Sequence, residues 1–230
     1  MNNLNSIYDK IVCISLKERE DKYNYIKTQF EKHNINVEFH RPVINGFNSK
    51  IIPALLKENV AHFNKEQYNE FGAAYSFYHV IKTAILENLN NLFIFEDDVV
   101  FAKDFDNLVP KYLDSIPINT DGILLYSFMY ELFPQNIRVS PRWTKAYKSW
   151  SHIAIGMNRN FMEEYIRQQD KYFRIADLVT YQLQESFNFL CASPPLVIPK
   201  KELTSDIRKV KNYESTKSIL LMGINESNYE

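Results

Sequence analysis

Glycine is scarce in this sequence, and its scarcity excludes two common kinds of nucleotide site. Five glycines occur in 230 residues, and they form neither a P-loop nor a GxGxxG dinucleotide fingerprint. Both motifs need closely spaced glycines, because the backbone must approach the phosphates. Any nucleotide that this chain binds is therefore held by other means.

Cysteines and long apolar runs are scarce as well. Cys13 and Cys191 lie far apart among apolar residues, which favours buried free thiols of a reducing compartment over a disulfide. No stretch approaches the ~20 apolar residues of a membrane span. The polar start, MNNLNSIYDK, lacks the apolar run of a signal peptide. We therefore expect a cytoplasmic protein, which leaves room for docking on the cytoplasmic face of a membrane.

Charge is balanced, and the chain is long enough for one sizeable core. The net charge of −1 gives no electrostatic case for a nucleic-acid partner. Hydrophobic residues make up 45% of the 230 positions, and no repeat, low-complexity tract or linker divides them. We predict one domain over residues 1–230, with a loose tail at 222–230.

The order of apolar segments predicts an α/β fold. Residues 10–16, KIVCISL, are rich in Ile and Val, which is typical of a buried strand. A charged segment with one apolar face follows, and then NVEFH, an alternating strand that leaves through a turn at Asn45 and Gly46. This β-α-β order predicts a mainly parallel sheet flanked by helices.

The longest predicted helix covers residues 70–89, where apolar residues recur at three- and four-residue steps and Asn69 is a candidate N-cap. A buried strand follows directly. Further strands are predicted in DGILLYSFMY and WSHIAIGMN, and further helices in NRNFMEEYIRQQDKYF and IADLVTYQLQESF. The segment ELFPQNIRVSPRWTKAYKS is irregular and is a candidate loop over a site.

Three carboxylates stand in a row at the end of the strand that follows the long helix. The stretch NLFIFEDDVVF places Glu96, Asp97 and Asp98 between apolar residues. Isolated charges are costly to bury, so such carboxylates are normally neutralised, paired or bound to a metal. Ligands collect at the carboxyl ends of strands in open α/β sheets, and a hard cation with substrate phosphates suits this position. A solvated acidic turn explains the stretch equally well.

Several segments occur in the order found in one known family. LFIFEDDVVF is similar to an LEDDV segment, and CISLKEREDKYNYIKTQF to an opening NL-x-RR-x-DR motif with Leu16, Arg19 and Lys22 at matching positions. RPVINGFN resembles an AVDG turn at residues 43–46, and EFGAAYSFYHV a GxxGCxxSH block. WSHIAIGMNRNF and PPLVIPKKELTSDIR resemble later segments. Together these segments resemble glycosyltransferase family 25, the lipopolysaccharide and collagen-type sugar transferases.

The resemblance implies a GT-A fold and a metal-dependent, inverting glycosyltransferase. The donor would be a nucleotide-sugar, with a UDP-sugar such as UDP-galactose expected, and the acceptor a hydroxyl of a glycan, a lipid-linked glycan or a protein. The carboxylates would act as a DxD-like motif for Mn²⁺ or Mg²⁺, with Asp98 as the direct ligand and Asp97 next. Glu96 and Asp97, together with Leu16 and Arg19, would bind the metal-linked donor.

Three further residues are candidates for the chemistry. Asp177 matches a late acidic position of the family and is a candidate base, with a plain helix N-cap as the alternative. Glu131 is a second candidate base, with a solvated loop glutamate as the alternative. His152 is a candidate metal ligand, since several GT-A enzymes complete the metal site with a later histidine, and a packed core histidine is the alternative.

The chain departs from the family at three places. Ala73 stands where the family has Cys, and Ser76-Phe77 replaces its Ser-His pair, with His79 two residues late. Arg19 alone remains of an arginine pair. These departures motivate a second hypothesis, a non-catalytic sugar- or partner-binding protein on the same fold. A third, a metal-dependent phosphohydrolase, lacks a recognisable aspartyl-nucleophile motif.

Overall fold

The computed structural model describes residues 3–42, 51–56, 63–129, 138–200 and 225–229. The turn expected at residues 43–46 and the candidate base Glu131 lie outside these ranges. No helix within them is long and apolar enough to cross a membrane.

Helices and strands are interspersed along the described ranges. The helices are α1 Leu4–Ile7, α2 Glu20–Lys32, α3 Ile51–Leu56, α4 Lys65–Leu86, α5 Phe105–Leu113, α6 Arg159–Lys171 and α7 Ala176–Leu183. The strands are β1 Lys10–Ile14, β2 Glu38–His40, β3 Asn91–Glu96, β4 Val99–Phe101, β5 Gly122–Leu124, β6 Phe128–Met129, β7 Trp143–Lys145, β8 Ser149–Trp150, β9 Ala154–Asn158, β10 Phe189–Ala192 and β11 Val197–Pro199.

Within the described residues, seven strands form one mixed sheet in the order β2-β1-β3-β9-β5-β10-β7. Strands β1, β2, β3, β5 and β10 run in one direction, whereas β9 and β7 run in the other. The predicted α/β fold with a mostly parallel core is confirmed. The antiparallel insertion of β9 between β3 and β5 was not predicted, because a strand that is apolar on both faces shows no direction in its sequence.

Helices cover both faces of the sheet, and alternation along each strand assigns its side chains to one face. Phe93 and Phe95 of β3 join the cluster that includes α1, α2 and α5. Leu92 and Ile94 join the cluster that includes α4, α6 and α7. Burial on both faces explains why β3 is a continuous apolar run, and it brings the three carboxylates out at the carboxyl edge of the sheet.

Helix α4 begins earlier than predicted. The Asn64 side chain accepts a hydrogen bond from the Gln67 amide, and the Gln67 side chain accepts one from the Asn64 amide, each at 2.9 Å. This capping box satisfies two amides that no helical carbonyl can reach. The prediction that Asn69 caps the helix is therefore wrong.

Residues 225–229 are held against the domain, although the segment 222–230 was predicted to be loose. The amide of Lys103 donates to the carbonyl oxygen of Asn228 at 2.8 Å. The hydroxyl of Tyr229 donates to the carbonyl oxygen of Pro195, also at 2.8 Å. The last described residues thus pack next to the segments that follow β4 and precede β11.

Candidate functional site

The acidic stretch forms a buried turn at the carboxyl edge of the sheet. Strand β3 ends at Glu96, and the chain turns at Asp97 and Asp98 before β4 begins. Asp97 is 6% exposed and Asp98 is 9% exposed. The backbone amide of Lys200 fixes the turn by donating to the carbonyl oxygen of Asp98 at 2.6 Å. Because both carboxylates are buried, the alternative of a solvated acidic turn is wrong.

Lys22 supplies the opposite charge from the first turn of α2. Its Nζ lies 3.4 Å from Asp97 Oδ1 and 3.6 Å from Asp98 Oδ2, and its side chain is 3% exposed. The sequence prediction placed Lys22 at a matching motif position but missed this pairing. The sequence does contain a sign that Lys22 is buried. Ile26 follows it by one helical turn and Phe30 by two, so the three residues lie on the same buried face of α2.

Within the described part of the chain, one oxygen of Asp98 has no partner. Its Oδ1 is buried and has no hydrogen-bond partner, whereas Oδ2 faces Lys22. A buried carboxylate oxygen without a partner is costly and points to a ligand. No three His, Cys, Asp or Glu side chains in the described ranges are grouped to hold a metal ion by themselves. The donor set present fits Mg²⁺ or Mn²⁺, which takes one or two carboxylates and completes its shell with substrate phosphates and water.

The pKa of Glu96 is shifted by burial and by the charged groups around it. Burial raises the pKa of Glu96 well above its ordinary value, and the negative charges of Asp98, Asp177 and Asp97 raise it further, while Lys22 lowers it. Glu96 is therefore poised to keep its proton where its neighbours are ionised. The interaction also places Asp177, far away in sequence, in the same electrostatic cluster.

Helix α7 carries Asp177 to the site. The helix begins at Ala176 with Ile175 as its N-cap, so Asp177 lies in the first turn and the alternative of an N-cap is wrong. Its side chain is 40% exposed, while its Oδ1 is buried without a hydrogen-bond partner. A carboxylate that is partly open to solvent and poorly hydrogen-bonded can accept a proton from a bound hydroxyl.

His152 lies between β8 and β9, although the sequence predicted it inside a strand. Its Nε2 is 2.7 Å from Thr180 Oγ1, and its Nδ1 is 3.7 Å from Asp177 Oδ1. Burial lowers the pKa of His152 and favours the neutral ring, an effect that Asp177 opposes. Phe77 packs against His152, with the two ring centroids 4.9 Å apart. The family has a histidine at the position of Phe77. Metal ligation by His152 stays a prediction.

Arg19 and Leu16 lie between β1 and α2 at the same edge of the sheet. Arg19 makes a bidentate ion pair with Asp21 at 2.9 and 2.7 Å. This pairing lowers the pKa of Asp21 to about 2. The carbonyl oxygen of Leu16 accepts a hydrogen bond from the Arg19 amide at 3.0 Å. Contact of either residue with a donor stays a prediction.

Two residues of this edge gave no usable sequence signal. Ser15 follows β1, is 1% exposed, and has a hydroxyl oxygen without a hydrogen-bond partner. The register pairs Ile14 with Glu96, so Ser15 lies next to the acidic turn. Thr180 is on α7, and its contact with His152 depends on a fold that the sequence pattern did not specify. Serine and threonine are too common in strands and helices for either to stand out.

Residues 8–175 match the family described as "Glycosyltransferase family 25 (LPS biosynthesis protein)". The protein is a glycosyltransferase. It belongs to glycosyltransferase family 25, which confirms the resemblance seen in the sequence. The matched range contains Lys22 and the acidic turn, and Asp177 lies just beyond it.

Two solved structures are similar to this chain at a low level. One is the crystal structure of a glycosyltransferase involved in the glycosylation of the major capsid of PBCV-1, with 8% identity, 79% of this chain and 80% of that chain covered, and a TM-score of 0.43. The other is A197 from STIV, with 10% identity, 86% and 98% covered, and a TM-score of 0.36. No curated protein sequence matches the chain.

Proposed function

We propose that this glycosyltransferase is metal-dependent and inverting, and that it uses a nucleotide-sugar as donor. A UDP-sugar is the expected donor, with UDP-galactose the first to test. The acceptor is a hydroxyl of a glycan, a lipid-linked glycan or a protein. A lipid-linked acceptor would bring the protein to the cytoplasmic face of a membrane. The observation that carries the proposal is the buried, unpartnered Oδ1 of Asp98 at the carboxyl edge of the sheet.

Asp98 and Asp97 are the residues that would hold Mn²⁺ or Mg²⁺ together with the diphosphate of the donor. When bound, the cation would offset the charge that develops on the departing diphosphate. Asp98 supports this assignment best, because its Oδ1 is free while its Oδ2 is 3.6 Å from Lys22 Nζ. Asp97 Oδ1 also lies near Lys22, at 3.4 Å. The two side chains therefore share Lys22 as a cationic neighbour, and Asp98 Oδ1 is available to a metal.

Asp177 is the residue that we propose as the base. The acceptor oxygen would attack the anomeric carbon from the face opposite the diphosphate, the bond from that carbon to the diphosphate would break, and the acceptor proton would pass to Asp177. One displacement of this kind inverts the anomeric configuration. His152 lies behind the carboxylate, with Nδ1 at 3.7 Å from Asp177 Oδ1. If Thr180 donates its hydroxyl proton to Nε2, the neutral ring carries its own proton on Nδ1, facing Asp177.

Thermal unfolding with a panel of ligands tests the donor and the metal together. The panel contains UDP, GDP, CDP and the matching nucleotide-sugars, each with Mn²⁺ and with EDTA. A ligand at ~100 times its dissociation constant stabilises the folded state by roughly 2.7 kcal/mol, which raises Tm by roughly 5–10 °C in a chain of this size. We expect a shift with one nucleotide that disappears in EDTA. An equal shift in EDTA would contradict the metal, and no shift with any member would contradict the nucleotide site.

A further inference from the structure

Lys22 is a lysine held inside the protein between two carboxylates. The side chains of Lys22, Asp97 and Asp98 are 3%, 8% and 12% exposed. Taking an ammonium group out of water is costly unless opposite charges compensate it. Lys22 also follows the loop after β1, and β1 is the direct neighbour of β3 in the sheet. The fold therefore delivers this ammonium group to the acidic turn from the adjacent strand.

Among the described residues, the ammonium group is paired with one oxygen of each carboxylate. Its Nζ lies 3.4 Å from Asp97 Oδ1 and 3.6 Å from Asp98 Oδ2, and Asp98 Oδ1 remains without a hydrogen-bond partner. One positive charge faces two carboxylates, so the trio is left with one net negative charge when all three are ionised. A divalent cation at Asp98 Oδ1 would gain the attraction of the carboxylates but would also be repelled by the nearby ammonium group.

We propose that Lys22 is the resident counter-ion of the acidic turn, and that it makes divalent-cation binding depend on the donor diphosphate. In the free protein, Lys22 already neutralises part of the charge that would attract the cation. A diphosphate adds negative charge and oxygen ligands, so cation and nucleotide bind cooperatively. The inference rests on the proposed metal and nucleotide site, and it adds that the metal enters with the nucleotide rather than ahead of it.

The first test measures Mn²⁺ binding to the unmodified protein by isothermal titration, with and without UDP, provided that UDP is the nucleotide that shifts Tm in the panel; otherwise the nucleotide that does so replaces it. Positive coupling between two ligands is typically 5–150-fold, and we expect UDP to tighten Mn²⁺ binding by about tenfold or more. If Mn²⁺ alone binds as tightly as Mn²⁺ with UDP, the proposal is overturned. This measurement requires no variant, so a folding defect cannot obscure it.

The second test removes the counter-ion. In EDTA, Lys22→Met should lower Tm by roughly 6–20 °C, because two buried carboxylates lose the ammonium group that faces them. Mn²⁺ alone, without nucleotide, should restore most of that loss in Lys22→Met while leaving the Tm of the unmodified protein unchanged. Lys22→Arg keeps the charge and should retain the need for UDP. If Mn²⁺ stabilises Lys22→Met no more than it stabilises the unmodified protein, Lys22 is a structural ion pair only and the proposal fails.

Lys10 provides a matched control at the other end of the sheet. Its Nζ also faces two carboxylates, at 3.2 Å from Glu38 Oε2 and 2.5 Å from Glu87 Oε2, but its side chain is 23% exposed. Lys10→Met should therefore show no recovery with Mn²⁺, and recovery in Lys10→Met would mean that Mn²⁺ acts non-specifically and would overturn the assignment to Lys22.

The two proposals fail in different ways. If no nucleotide shifts Tm, the donor site is removed and the titration with UDP decides nothing about Lys22. The response of Lys22→Met to Mn²⁺ alone needs no nucleotide, so it still decides whether Lys22 opposes the cation.

Discussion

The two edges of the central sheet hold their carboxylates differently. Before β5, Asp121 accepts hydrogen bonds on both oxygens, from the side-chain amide of Asn158 at 3.0 Å and from the backbone amide of Asn188 at 2.8 Å. After β3, Asp98 has a buried Oδ1 that accepts none, and the same is true of Asp177 Oδ1 on α7. At the amino edge, Asp121 thus has hydrogen bonds to both of its oxygens. At the carboxyl edge, Asp98 has one oxygen without a hydrogen bond.

This difference separates structural acids from candidate functional acids. A carboxylate whose oxygens are all hydrogen-bonded contributes to stability and has little capacity left for a ligand. A buried oxygen without a partner destabilises the free protein and is retained more readily where a ligand completes it. We therefore expect substitutions at Asp121 to affect stability, and substitutions at Asp98 and Asp177 to affect binding or turnover.

The largest effect should come from Asp177→Asn. The amide keeps the shape of the side chain but cannot accept the acceptor proton as a base, and loss of a positioned base costs typically 10²–10⁴-fold, so kcat should fall by about that factor. Donor binding should be retained. Release of nucleoside diphosphate in the presence of acceptor and saturating donor measures this. A variant that keeps more than a third of the turnover would remove Asp177 from the chemistry.

Asp121→Ala should have the next largest effect, and it should act on stability. Hydrogen bonds to charged groups contribute about 1.5–3 kcal/mol each, and with partial compensation by water we expect the free energy of unfolding to fall by about 2–3 kcal/mol. Urea denaturation measures the loss, and turnover per folded molecule should be unchanged. A variant with normal stability and lost turnover would reverse the distinction between the two edges.

Glu96→Gln should produce a smaller effect that depends on pH. The folded-state pKa of Glu96 is raised above the unfolded value, mainly by burial, so the folded protein keeps a proton that the unfolded chain loses as pH rises above about 4.5. Stability from this group therefore falls as pH rises through that window. Glutamine has no proton to lose, so the metal-free variant should lose less stability between pH 5 and pH 8. Parallel curves of Tm against pH for the two proteins would contradict this account.

The strands of the sheet could be predicted from the sequence, because short apolar runs rich in Ile, Val and Phe mark buried strands locally. The run of Phe93 and Phe95 predicts a buried strand, and the acids that follow it predict a site at its carboxyl end. Those expectations needed only the continuous apolar run of β3 and the β-α-β order of the first segments.

The pairings across the site could not be predicted, because they depend on long-range packing. The approach of Asp177 to Glu96 requires α7 to lie against the carboxyl edge, and nothing near residue 177 in the sequence specifies that. Lys22 was missed for another reason. A lysine in a charged helix normally lies on the surface, so its spacing from Ile26 was the only local sign of burial.

The most direct test of the central claim is titration of UDP with Mn²⁺ into the unmodified protein and into Asp98→Asn. Substitution of outer-shell residues in metal sites already costs 10–100-fold in affinity, so loss of a direct ligand should weaken metal-dependent UDP binding by at least about 100-fold. The fold should be retained, because the substitution removes a buried charge. Equal affinity of the two proteins for the UDP–Mn²⁺ pair would contradict the account and leave the acidic turn as a structural feature.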